Sequence, residues 1–287
     1  MHFHLTHVVA PQPLHASNPM HGMHGYKEVI DTIQWGLGQL GHTVEYGQNC
    51  ISTTGVNVVF GVQVMSMPLI DGLPSDTIVC NLEQIRGHDA AAMKPQVLEA
   101  AKRFRIWEYS EANLAVWREL GAKDVRLVPV GYSPVLQRIV KPPTQDIDVL
   151  LYGLTSQDRL SAFHSLAHSG LTTMFVCGMY GDRRDELIAR SKLVANVSWL
   201  DKSKVFEIVR VSYLLANRKA VVAVVDADTA IDDDMRSAVK ITSLAELVGD
   251  CKMLIGDDSA RSALEEAGYR VMQRRDIRTA LAAALAD

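Results

Sequence analysis

Two successive series of alternating strand and helix patterns, parted by a proline-bearing stretch, constrain this chain more than any other feature. The first series opens with the strand "FHLTHVVAP". The helix "YKEVIDTIQWGLGQLGH" follows, with Val29, Ile33, Leu37 and Leu40 at helical spacing and Gly41 as its C-cap. "TVEYG", "VNVVFGVQVM" and "DTIVCNLEQI" read as strands. The second is nearly continuous in apolar residues, as in a strand buried on both faces, and the third ends in Asn81, Glu83 and Gln84. "RIWEYS" is a short strand, "EANLAVWRELG" a helix capped by Ser110, and "DVRLVPVGYSP" the last strand of the series. The stretch "SPVLQRIVKPPTQD" carries Pro134, Pro142 and Pro143, and the pattern then restarts. "IDVLLYG", "TTMFVCG" and "KLVANVSW" are strands, with helices "SQDRLSAFHSLAHSG" and "DRRDELIARS" between them. "KVFEIVRVSYLLANRKAVV" supplies another helix and strand, and the tail "SALEEAGYRVMQRRDIRTALAAALAD" a short strand between two helices.

Repeated strand–helix–strand runs imply parallel sheets covered by helices, hence an α/β fold. The 287 residues suit two domains. The expected boundaries are 1–138 and 139–287, with the last helix a candidate to pack back on the first domain. Ligands of such sheets bind outside the carboxyl ends of the strands.

Composition narrows the function classes. The 29 Lys and Arg against 33 Asp and Glu give a net charge of −4, which offers no bulk attraction to nucleic acid. Cys50, Cys80, Cys177 and Cys251 are far apart and read as thiols of a reducing compartment. "MHFHLTHVV" lacks the features of a signal peptide, and no apolar run approaches the ~20 residues that span a bilayer. The expected location is the cytoplasm, with peripheral association at the inner membrane as an alternative.

Glu207 is the residue that most asks for a reason. It falls in the expected first turn of a helix starting near Ser203 or Lys204, at the ligand edge of the second sheet. The free N–H groups there attract phosphate, and Lys202 and Lys204 add positive charge. A carboxylate there can accept from both hydroxyls of a ribose. The bland reading is an acid favouring the helix dipole and pairing with Arg210 at i,i+3. In the first half, Glu83 ends a buried strand at the ligand edge, where it is a base, a ligand for an acceptor hydroxyl, or a partner of Arg86. "MHGMHGY" offers His24, which titrates near neutral pH, and Tyr26 as a hydrogen-bonding group; a flexible loop with exposed histidines explains it equally. His2 and His4 alternate on one strand face with no third metal ligand at hand. The acidic run Asp226, Asp228, Asp232, Asp233 and Asp234 follows a strand in a loop and reads as solvated rather than metal-binding.

"CNLEQI", "WEYSEANLAVWRELGAKDVRLVPVGYSP", "DVLLYG", "GMYGDRRDELIARS" and "SKLVANV…KVFEIVRVSYLLANRKAVV" together resemble the CgeB-like or family-1-like glycosyltransferases of GT-B fold, over roughly residues 25 to 260. The resemblance implies two Rossmann-like domains facing each other across a cleft. It implies transfer of a sugar from a nucleotide-diphosphate sugar to an acceptor hydroxyl, with no cofactor and no metal. The second domain would hold the donor, with Glu207 on the ribose. In the turn "YGLTSQDR", Gly153, Thr155 and Ser156 would face the phosphates, and Arg159 keeps the basic feature of relatives that read closer to "GSxNxRR". Gly178, Tyr180 and Gly181 would lie beside the base, and Arg183 or Arg184 would reach phosphate. Asn196 matches the pattern, whereas a His common in relatives is absent from "VSW"; Lys204 and Phe206 complete the donor set. His24 and Glu83 are the candidate bases. The implied partners are a sugar nucleotide and an acceptor glycan, lipid-linked glycan or protein, with nucleic acid not expected and the oligomeric state open. The alternatives are a non-catalytic partner subunit of the same fold, a nucleotide-sugar epimerase-like enzyme and, without support from the charge, a DNA-modifying transferase.

Overall fold

The computed structural model describes residues 1–9, 25–87, 93–198 and 204–286. By its contacts the chain divides into two units. One comprises residues 1–133 together with the segment from Asp276 onward, and the other Pro134–Arg275. The division at Ser133–Pro134 precedes the expected 138–139 boundary, and the last helix belongs to the first unit.

The strands of the first unit are β1 (His2–His7), β2 (Thr43–Gln48), β3 (Val56–Phe60), β4 (Ile78–Asn81), β5 (Arg105–Glu108) and β6 (Val125–Leu127). They form one sheet in the order β2-β1-β3-β4-β5-β6, every pair parallel. Its helices are α1 (Lys27–Gln39), α2 (Met67–Asp71), α3 (Pro95–Arg103) and α4 (Glu111–Glu119), with the chain's last helix, Ile277–Leu285. One core gathers Val59, Val79 and Ile106 of the strands with Ile70, Val97, Ala100 and Trp117 of the helices. Each fully buried Val or Ile side chain contributes roughly 1.5–3 kcal/mol. Gly36 of α1 sits against the last helix: a Cβ there would meet Leu281 Cδ1 at 2.7 Å and Ile277 Cγ2 at 2.9 Å. The strand expected over "VNVVFGVQVM" stops at Phe60. Gly61 takes φ +89°, and Val62–Val64 form a 3₁₀ turn.

The second unit repeats the plan with β7 (Ile147–Tyr152), β8 (Thr173–Val176), β9 (Ser191–Asn196), β10 (Ala220–Val224) and β11 (Lys240–Thr242), in the order β11-β10-β9-β7-β8 and parallel throughout. Its helices are α5 (Gln157–His168), α6 (Asp182–Arg190), α7 (Ile208–Ala216), α8 (Asp233–Arg236), α9 (Leu247–Gly256) and α10 (Asp258–Arg274); the Ile277–Leu285 helix is then α11. One core joins Val149, Leu151, Leu193 and Val222 to Ala162 and Leu166 of α5 and Leu247, Cys251 and Leu254 of α9. The short strand expected in the tail is absent: "YRVM" lies within the 17-residue helix α10. Glu265, Gly268, Tyr269 and Met272 recur there as buried positions at helical spacing. Gly268 admits the close approach of α7, since a Cβ would stand 2.7 Å from Leu215 Cδ2. No described helix is long and apolar enough to cross a membrane.

Candidate functional site

At the carboxyl edge of the second sheet, β7 is followed by Gly153, which takes φ +120°, a conformation side chains resist. A Cβ there would also stand 2.6 Å from Arg210 Nη2 and 3.0 Å from Arg159 Nη1. Two guanidinium groups therefore crowd the backbone of this turn.

Arg159, at the start of α5, is 2% exposed. It donates from Nε to the Val197 carbonyl (2.7 Å) and from Nη1 to the Leu154 carbonyl (2.8 Å). Its Nη2 reaches both Glu207 oxygens, at 2.8 and 3.1 Å. Burial pulls its pKa down to about 10, against the attraction of Glu207. Three segments thus hang on one side chain. The phosphate-facing place expected for Arg159 is corrected: its planar fork is spent on brackets inside the unit. Arg210 sits nearer the turn. Its Nη1 pairs with Glu207 Oε2 at 3.1 Å and its guanidinium lies 5.1 Å from the Tyr152 ring. Two cations around one carboxylate leave this cluster one positive charge in excess.

Glu207 does not lie within a helical turn. α7 begins at Ile208, and Glu207 occupies the position before it with no capping bond from its side chain. Tertiary pairing sets that start. Lys204 adopts a left-handed φ of +44°, Val205 bridges to Ala230, and Phe206 N donates to the Ala230 carbonyl at 2.9 Å, so residues 204–206 pair with another segment before the helix begins. The expected helix start near Lys204 is therefore moved four residues along.

One pocket brings several expected residues together: Asn196, Lys204, Phe206 and Glu207 line it with Ser198, Asp226 and Thr229. Asn196 ends β9, is 2% exposed, and its Oδ1 has no hydrogen-bond partner. A buried amide oxygen left open in a pocket is an acceptor awaiting a donor. Lys204 contributes less free charge than expected, because its Nζ pairs with Asp226. Gly153, Thr155, Tyr180, Arg183 and Arg184 do not line this pocket. Arg183 is exposed in the first turn of α6. Arg184 is corrected: it is 5% exposed, pairs with Asp185 at 2.8 Å and stacks on the Tyr213 ring at 4.8 Å. Tyr213 donates to the same Asp185 at 2.6 Å, so Arg184 is a packing element.

At the carboxyl edge of the first sheet, Glu83 follows β4. Its Oε1 accepts from the Tyr26 hydroxyl and from Gln63 Nε2 at 3.0 Å. Burial, then the Glu83 charge, raises the Tyr26 pKa well above its ordinary value, so the phenol is a fixed donor. The Glu83 backbone is held as firmly: its carbonyl accepts from Asn81 Nδ2 (2.9 Å) and Asn113 Nδ2 (3.1 Å). Behind both amides stands Glu108, fully buried at the end of β5. It accepts from Asn81 Nδ2 (2.7 Å), Trp117 Nε1 (2.7 Å), Asn113 Nδ2 (2.9 Å) and Ser110 N (2.8 Å). Burial pushes its pKa up to about 7 while those donors pull the other way. Sequence reading passed over Glu108. The available signal was Asn113 and Trp117, four apart on one helix face directly after the strand. Ser110 occupies the expected cap position of α4 without a side-chain capping bond; its N–H goes to Glu108 instead.

His24 lies outside the described residues, as do His21, Trp199, Lys202 and Ser203. His2 and His4 both approach Glu45, at 3.6 and 3.8 Å. Of the acidic run, Asp226 is held by Lys204 and Asp232 and Asp234 by Arg275. Among the described residues no group of three or more His, Cys, Asp or Glu is arranged to hold a metal ion.

No family model matches the chain. No curated protein matches it. Solved structures do. The T4 phage β-glucosyltransferase in complex with UDP-glucose superposes with a TM-score of 0.62 at 12% identity, covering 99% of each chain. HepE of Anabaena in complex with UDP and glucose gives 0.62 at 12% identity, covering 97% of this chain and 98% of the other. AviGT4, a glycosyltransferase of avilamycin A biosynthesis, gives 0.59 at 13% identity, covering 99% and 96%. At these identities the likeness establishes the fold, the GT-B pairing of two Rossmann-like units. The narrower CgeB-like likeness rests on the sequence blocks alone.

Proposed function

We propose that this protein is a glycosyltransferase that moves a sugar from a nucleotide-diphosphate sugar to an acceptor hydroxyl without a metal ion. The observation that carries the reading is the end-to-end likeness to solved glycosyltransferases, which takes in both units. In this reading the donor binds at the carboxyl edge of the second sheet. Asn196, Phe206 and Glu207 face the nucleoside, and Lys204 and Thr155 lie at the margins of the site. Gly153, Arg210 and the first N–H groups of α7 face the diphosphate, where negative charge grows as the sugar leaves. Tyr180 and Arg183 form an outer part of the same edge.

Glu83 is the candidate base among the described residues: both of its side-chain hydrogen bonds fall on Oε1, and Oε2 is left for an acceptor hydroxyl. The acceptor is a glycan, a lipid-linked glycan or a protein. Four free cysteines support a reducing, cytoplasmic setting.

Uridine diphosphate is the first ligand to test, because HepE and the T4 enzyme carry UDP or UDP-glucose in their structures. Calorimetry on the full chain should give saturable UDP binding. Asn196→Leu keeps the size and removes the open acceptor, and should weaken binding about tenfold, worth ~1.4 kcal/mol. Release of UDP from a UDP-sugar should continue in EDTA. A chain that binds no nucleoside diphosphate sinks the reading, and one that binds UDP but turns over no sugar nucleotide is a partner subunit of the same fold.

A further inference from the structure

The candidate sites lie at carboxyl edges, but the opposite edge of the first sheet holds a cavity of about 380 Å³. That is within the ~300–1,000 Å³ typical of small-ligand sites. Its floor is apolar: Phe3, Val56, Ile78 and Phe104, at the amino ends of the strands, with Leu285 of α11. Its rim is cationic: Lys102, Arg103, Arg105 and Lys123 face it against two carboxylates, Asp76 and Asp124. This runs against the chain's overall charge of −4.

The cations are not equivalent. Arg105 Nε is spent on Asp124 at 2.6 Å, and Arg103 reaches Asp71 at 3.3 Å. Lys102 and Lys123 have no ion pair among the described residues. Thr77 lines the same cavity, is 1% exposed, and its Oγ1 has no hydrogen-bond partner. Buried hydroxyls are normally satisfied, so an open one beside unpaired lysines marks a place for a ligand oxygen.

We propose that this cavity binds a small organic anion, a phosphate group joined to a short apolar body. The phosphate sits between Lys102, Lys123 and the Thr77 hydroxyl, and the apolar body covers Val56 and Leu285, the half-buried apolar residues of the lining. A bare ion would leave Val56 and Leu285 uncovered. The site is separate from sugar transfer and stands whether or not the chain performs it.

Phenyl phosphate is the probe, measured by calorimetry on the full chain, with inorganic phosphate as the head group alone. Phenyl phosphate should bind more tightly than phosphate. Lys102→Gln with Lys123→Gln should weaken it at least tenfold, and Thr77→Val severalfold. Arg210→Gln, at the other unit's carboxyl edge, should leave it unchanged. Sedimentation with phosphatidylglycerol vesicles, against phosphatidylcholine controls, separates the sources. Co-sedimentation lost in the double lysine variant assigns the same phosphate contact to a lipid head group. Failure of phenyl phosphate and of anionic vesicles to bind, or binding indifferent to the double variant, overturns the proposal. The lysines are exposed, so unchanged melting of the double variant keeps either result interpretable.

Discussion

The two units solve one problem in opposite ways. Each holds a carboxylate at the carboxyl edge of a parallel sheet and uses it to fix the segment that carries the candidate chemistry. In the first unit Glu108 is fully buried and meets only neutral donors, two amides, an indole and a backbone N–H. In the second, Glu207 keeps 13% of its side chain exposed and meets two guanidinium groups. A buried charge among neutral dipoles costs free energy that hydrogen bonds only partly return, so its protonation reports on folding. A carboxylate between two cations offsets only one of them and leaves a positive excess beside the Gly153 turn.

The largest expected effect falls on the ionic bracket. Arg159→Met should destabilise the second unit by about 3–5 kcal/mol, the range for removing one partner of a buried pair. It leaves Glu207 to Arg210 alone and takes the Arg159 donors from the Leu154 and Val197 carbonyls. Arg159→Lys should not rescue, because one ammonium cannot span three segments. Urea unfolding of both variants tests this. A lysine variant as stable as the wild type would mean that charge alone, rather than the fork, holds the edge.

That bracket was only half legible in the sequence. The i,i+3 relation of Glu207 and Arg210 is local and was readable. Arg159 lies 48 residues away, and nothing in "SQDR" tells a buried brace from a phosphate ligand. The helix start was misread for a similar reason, since the Val205–Ala230 bridge that delays it is a tertiary contact. Runs such as "DVLLY" announce parallel strands because burial on both faces writes itself into every residue. "YRVM" looks like a strand locally, and only the buried spacing of Glu265, Gly268, Tyr269 and Met272 makes it helix. Arg183 and Arg184 are adjacent, and the helix face decides which is exposed.

Slightly smaller effects should appear as opposite pH slopes in the two units. Burial raises the pKa of Glu108 from 4.5 to about 7. Its stabilising share is complete below pH 4.5 and is lost as pH rises through 7, about 3 kcal/mol at ~1.4 per unit. The second unit contains the converse, Lys219, which is 3% exposed and donates to the Ser191 carbonyl. Burial lowers its pKa from 10.5 to about 8. The unfolded chain then holds more protons between those values, so stability rises with pH across that window, again by about 3 kcal/mol. Unfolding free energies of the wild type minus Glu108→Gln should fall between pH 4.5 and 7. The wild type minus Lys219→Met should rise between pH 8 and 10.5. Subtraction removes the thiols and tyrosines that titrate in the same alkaline range. A flat first difference would show that the four donors around Glu108 outweigh its burial, and the contrast between the units would narrow to geometry.

The smallest effect on folding should come from Arg210→Gln, and it is the sharpest test of what the positive excess is for. Arg159 continues to hold Glu207, so the variant loses an i,i+3 pair worth roughly 0.2–0.5 kcal/mol and the contact with Tyr152, about 0.5–1 kcal/mol. Melting should shift by a few degrees at most. If Arg210 answers the diphosphate across the Gly153 turn, UDP affinity should nonetheless fall about tenfold, ~1.4 kcal/mol. Uridine, which lacks the phosphates, should bind wild type and variant alike. Loss of both affinities together would mean that Arg210 shapes the pocket through Glu207. Loss of neither would leave the surplus charge as part of the bracket alone, with the diphosphate placed elsewhere on that edge.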